Sequence, residues 1–149
     1  MSRFMLTLVL AATVGGAASA QPDATKHWRR SEGVFCAVLA RALAAANEPE
    51  AFASIRIADA GNPYRSSLQV PGFTTCEARP GSLYCSQEPP GPDLTLENLT
   101  ADTARCLGMR PRDDEGFQVF DMGKVAIQIE SDCTGCQSGH RVNYRIEVD

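Results

Sequence analysis

The chain has 149 residues with 14 Lys and Arg against 18 Asp and Glu, a formal charge of −4, six cysteines and two histidines. That length is one domain's worth, large enough to bury a hydrophobic core of its own without depending on cross-links for its fold. The acidic balance leaves no basic field to hold a phosphate backbone, and the scattered cations, apart from Arg29-Arg30, exclude a nucleic-acid partner.

Residues 1–20 read as a cleaved signal peptide: Arg3, an apolar run from Phe4 through Val14, the Gly15-Gly16 break, then Ala18 and Ala20 in an A-x-A pattern that places the cut after Ala20. The apolar run is shorter than the roughly 20 helical residues a bilayer crossing needs, and no later stretch approaches that length, so no membrane span is expected after cleavage. Nor does a cysteine follow the cut to accept a lipid. The expected location is therefore periplasmic or secreted, where cysteines oxidise. The 149-residue chain less its 20 leading residues leaves 129, and loss of Arg3 moves the charge from −4 to −5.

Residues 21–30 form a polar lead-in with a lone Trp28 and His27, and residues 31–149 a single domain. Ser31 and Glu32 open a helix whose stripe is Phe35, Leu39, Ala42, Leu43 and Ala46, with Cys36 at its border. Asn47-Glu48-Pro49 ends it, and Pro49 starts a short second turn that carries Phe52 and Ile55 inward. After the turn at Ala60-Gly61-Asn62-Pro63, Leu68 and Val70 make a short edge strand.

Phe73 to Ala78 and Leu83 to Gln87 are strand-type runs around Arg79-Pro80-Gly81-Ser82. A turn centred between Pro80 and Gly81, of two residues or four, sets Ala78 opposite Leu83, Glu77 opposite Tyr84, and Cys76 opposite Cys85. Directly opposed residues lie about 4.5–5.5 Å apart, within a disulfide's reach. Beyond a proline-rich connector, Leu96, Leu99, Thr103, Cys106 and Leu107 keep a helical period that Gly108 can cap. The Asn98-Leu99-Thr100 acceptor sequence falls inside that helix, a poor place for a glycan, and is taken as chance.

A charged loop, residues 110–116, precedes three strands: Phe117 to Asp121, Val125 to Glu130, and Arg141 to Val148. Val125, Ile127 and Ile129 share one face, as do Val142, Tyr144, Ile146 and Val148, while Gln128, Glu130, Arg141, Asn143, Arg145 and Glu147 point to water. The element order predicts an α+β two-layer sandwich, two main helices packed on one face of an antiparallel sheet and stabilised by disulfides.

Six cysteines allow fifteen pairings. With Cys76 paired to Cys85 across the hairpin and Cys133 to Cys136 as near neighbours, Cys36 is left for Cys106, a bridge between the two helices. Cys133-Thr134-Gly135-Cys136 is a C-x-x-C, the spacing of thiol oxidoreductases, yet it stands between two strands without the helix N-terminus that lowers a thiol's pKa, so its expected role is a loop clip. The alternative is a periplasmic thiol-disulfide protein using Cys133 and Cys136.

Cys133, Cys136 and His140 also have C-x2-C-x3-H spacing, a weak metal site for want of a fourth ligand, and Asp132 could complete it only in a tightly folded loop. A Cys136–His140 thiol hydrolase is incompatible with Cys136 in a disulfide. Asp113-Asp114-Glu115 reads as solvated surface, and Arg56, Arg65, Arg110 and Arg112 as a conceivable anion or partner contact. No cofactor and no catalytic set is expected. The resulting expectation is a non-catalytic exported domain, inhibitor-like or immunity-like by fold-level analogy, that binds another exported or envelope protein through the wet sheet face, the edge strands or the loop at 133–140.

Overall fold

A computed structural model describes residues 32–88, 90–91, 94–132 and 141–149. The expected signal peptide and lead-in, with His27 and Trp28, and the segment Cys133 to His140 lie outside them. Two helices, α1 (Glu32–Ala46) and α2 (Leu96–Leu107), accompany eight strands: β1 (Arg56–Ile57), β2 (Arg65–Ser66), β3 (Cys76–Arg79), β4 (Ser82–Gln87), β5 (Arg112–Asp114), β6 (Phe117–Asp121), β7 (Val125–Ser131) and β8 (Val142–Val148). All eight join one antiparallel sheet in the order β1-β2-β3-β4-β8-β7-β6-β5. The fold is α+β. Each helix precedes a four-strand meander, and β4 and β8 pair at the centre, so the sheet order repeats with two-fold symmetry about that pair.

The β3–β4 hairpin adopts the expected register, Cys76 with Cys85, Glu77 with Tyr84 and Ala78 with Leu83, around the two-residue turn Pro80-Gly81. Gly81 has φ of +81°, which the Pro-Gly order supplies without strain. The opposed cysteines form a disulfide with Cα atoms 4.2 Å apart, both buried. A second bridge, Cys36–Cys106, ties α1 to α2 with Cα atoms 5.2 Å apart. Two disulfides belong to an oxidising compartment.

Register builds the core in rows across the strands. Ala78, Leu83, Ile146, Ile127 and Phe120 are successive partners, and none is exposed. The next row holds Cys85, Tyr144 and Ile129. From α1, Phe35, Leu39, Ala42, Ala45 and Ala46 are buried, and from α2 Leu99 and Thr103. Asp102 is buried too, paired with Arg105 one turn along, an acidic residue inside a stripe that reads as apolar. Thr95 caps α2 by accepting from the Asn98 amide at 3.1 Å, and Gly108 closes it with φ of +65°. Among the described residues no helix is long and apolar enough to cross a membrane.

Four expectations about local structure are corrected. Leu68 and Val70 are buried but not in a strand; the edge is instead made by the short β1 and β2, whose Arg56 and Arg65 carry no hydrophobic signal. The strand of the first hairpin begins at Cys76, not Phe73, although Phe73 is buried. The turn after α1 is a 3-10 helix at Ala53–Ile55, entered through Phe52 in the left-handed region rather than through Pro49. The charged segment at 110–116 is not a loop throughout, because β5 pairs with β6 around a Glu115-Gly116 turn.

Both residues of that turn have positive φ, +53° for Glu115 and +94° for Gly116, the geometry of a tight hairpin that favours Asn-Gly. Glu115 therefore sits in a conformation costly for a side chain of its type. Glu115→Asn is expected to stabilise the fold by about 0.5 kcal/mol, read as a raised denaturation midpoint; an unchanged or lowered midpoint would show that the turn stores no strain.

Candidate interaction surface

The alternation that buries one set of strand residues sends the other set to the opposite side of the sheet. There the register lines up Glu77, Tyr84, Arg145, Gln128, Val119 and Arg112 as successive partners from β3 to β5. Flanking rows hold Ser86, Asn143 and Glu130 on one side and Ser82, Glu147, Ala126 and Asp121 on the other.

These side chains form a connected network. Tyr84 donates its phenol hydrogen to Asn143 Oδ1 at 2.8 Å, and Asn143 donates from Nδ2 to Glu130 Oε1 at 2.5 Å. The Arg145 guanidinium lies over the Tyr84 ring, 5.3 Å from its centroid, and donates to Glu147 Oε1 at 3.2 Å. Gln128 donates to the other oxygen of Glu147 at 3.2 Å. At the β3 end Arg79 donates twice to Glu77 Oε2, at 3.0 and 2.7 Å, and covers the Tyr64 ring at 5.5 Å.

Between them Arg79, Ser82, Tyr84, Arg145 and Glu147 line an open cavity of about 290 Å³. Comparison with family models, with curated proteins and with solved structures finds no match for this chain.

Exposed ion pairs of this kind contribute only about 0–1 kcal/mol each to stability. Arg79 and Arg145 keep about half of their side-chain surface in water, so the ladder of guanidinium groups over tyrosine rings is mainly a feature of the surface. Tyr and Arg are also the residues that concentrate binding energy at protein interfaces, because each offers a wide, stiff, amphipathic contact.

Asn143 lies on the expected face but is not wet. Placed among the residues that point to water, it is 7% exposed, enclosed between Tyr84 and Glu130. Asparagine is depleted in strands, and one standing between Val142 and Tyr144 near the start of β8 was the available signal. It holds Tyr84 and Glu130 in place from beneath.

The arginines read as a cluster are not one. Arg56 and Arg65 lie on β1 and β2 at one edge of the sheet, Arg112 on β5 at the other with Arg110 just before it. Arg56, Arg65 and Arg112 pair locally, with Glu50, Asp59 and Asp114. Asp113, Asp114 and Glu115 are exposed, as a solvated surface requires. The Cys133–Cys136 bridge, its redox alternative and the Cys133, Cys136, His140 metal site all lie outside the described residues. Among the described residues no group of three His, Cys, Asp or Glu side chains is placed to hold a metal ion.

Proposed function

We propose that this chain is an exported, disulfide-stabilised binding domain, non-catalytic and inhibitor-like or immunity-like, whose partner is another exported or envelope protein. The observation that carries this reading is the Tyr84–Arg145–Asn143–Glu130 network beside its 290 Å³ cavity: an ordered aromatic and guanidinium surface on β4, β8 and β7, with a buried amide fixing its geometry. Export rests on the signal-type N-terminus together with the disulfides, and places the domain in a periplasm or outside the cell.

The two-layer arrangement belongs to the same proposal. Tyr144 meets Phe35 of α1 and Thr103 of α2 from the core side of β8, which supports both helices lying on that face and leaves the opposite face open for a partner.

The test is co-purification from the native compartment at physiological salt, followed by the same capture with Tyr84→Ala and Arg145→Glu. A stable partner is expected, with its affinity reduced about 30-fold or more by Tyr84→Ala, as for an interface hot spot. A monomer that retains nothing, or a partner indifferent to both substitutions, would remove the sheet face from consideration.

A further inference from the structure

The cavity beside Tyr84 does not end at β8. Arg145 also borders a small recess of about 20 Å³ shared with Phe117, Gln128, Glu130 and Asn143. Phe117 and Gln128 in turn border a third recess, about 240 Å³, with Asp114, Glu115 and Val119. Through these shared lining residues the three recesses follow one another across the strands from β3 to β5, a broken trough of five strand spacings or about 24 Å.

The two halves of the trough differ in chemistry. At the β3–β4 half each guanidinium is matched: Arg79 pairs with Glu77 and Arg145 with Glu147. At the β5–β6 half Arg112 pairs with Asp114, whereas Glu115 in the turn and Glu130 on the neighbouring β7, which accepts from Asn143, have no ion pair among the described residues. The floor there is apolar. Val119 is buried although it stands on the wet face, and Phe117 is 37% exposed, one of four large hydrophobic residues exposed among the described residues.

An apolar floor under unmatched carboxylates is the complement of a long cationic side chain, whose methylene stem packs on the ring while its head meets the carboxylates. A carboxylate-bearing group would face like charge at the same place.

We propose that the β5–β6 half of the trough receives a lysine or arginine side chain, carried by the partner protein on a segment laid across the sheet face. This rests on the binding reading above and names the partner's chemistry at one end of the surface: the stem lies on Phe117 and Val119, and the cation sits between Glu130 and Glu115.

The experiment is an NMR titration of the isotopically labelled full chain with hexa-arginine and with hexa-glutamate. Saturable shifts of the Phe117, Val119, Gln128 and Glu130 amides are expected with hexa-arginine and not with hexa-glutamate. Phe117→Ala and Glu130→Gln should each weaken binding about fivefold, and Glu97→Gln, an exposed carboxylate on α2, should leave it unchanged. Shifts spread evenly over the exposed carboxylates, or an affinity indifferent to Phe117→Ala, would overturn the assignment. If Tyr84→Ala still abolishes capture of the native partner while hexa-arginine misses the recess, this inference falls and the binding reading stands. If neither experiment finds the sheet face, both fall.

Discussion

Replacing Cys36 and Cys106 together with alanine is expected to cost about 4 kcal/mol of folding free energy, because the bridge closes a loop of 70 residues in the unfolded chain. The Cys76–Cys85 bridge spans only nine residues, and its removal should cost about 3 kcal/mol by the same chain-entropy argument. For a domain of this size the first loss lowers the thermal midpoint by roughly 15 °C. The two bridges also differ in what else holds their ends. Cys76 and Cys85 are already opposed by a register that the ladder of β3 and β4 maintains, whereas α1 and α2 come from the two halves of the repeat and no shared ladder joins them. Denaturant melts of the two double variants should therefore rank with the helix-to-helix bridge as the more damaging loss. Equal losses, or a larger one for the hairpin, would mean that the unfolded chain is not the state the long bridge restrains.

The parts of the fold that were legible are those where local chemistry and tertiary demand agree. Pro80-Gly81 sets a turn, the turn sets a register, and the register delivers Cys76 to Cys85. The alternation in β7 and β8 survives because those strands lie at the sheet's interior, with one set of side chains in the core. The edges were not legible for the opposite reason. The strands β1, β2 and β5 have two or three residues each and, apart from Ile57, carry only Arg, Ser and Asp, too little to distinguish them from loop; they exist because a neighbouring strand offers a ladder.

The surface network was legible only in part. Wet-face residues of β7 and β8 follow from parity, but their partners on β4 and β6 depend on β8 returning beside β4, a crossing that no local signal announces. Phe117 and Val119 illustrate the difficulty. In sequence they resemble core residues of a strand that also holds Phe120, and only the pairing of Phe120 with Ile127 puts Phe117 and Val119 on the other side.

Tyr144 is the residue whose loss reaches furthest. It is fully buried on the central strand β8, edge-on to Phe35 of α1 at 6.3 Å between ring centroids and tilted against Phe73 at the same distance. Its hydroxyl lies 3.1 Å from that of Thr103 on α2. Tyr144→Ala removes the ring that Phe35 and Phe73 pack against, with the hydroxyl that meets Thr103, and should cost about 3–5 kcal/mol. Tyr144→Phe keeps the ring and strands the Thr103 hydroxyl, at about 1–2 kcal/mol. Burial also pushes the ionisation of Tyr144 well above the ordinary phenol range, an effect the Thr103 hydrogen bond only partly offsets. With the folded-state value raised, the stabilisation is complete below the unfolded phenol's pKa of about 10 and is lost as pH rises beyond it, because the unfolded chain can ionise there and the folded one cannot. Wild-type stability should therefore fall more steeply above about pH 10 than that of Tyr144→Phe, a comparison made by denaturant titration at each pH. Parallel pH profiles for the two proteins would mean that the hydroxyl reaches water in the folded state, and the packing of both helices around β8 would have to be redrawn.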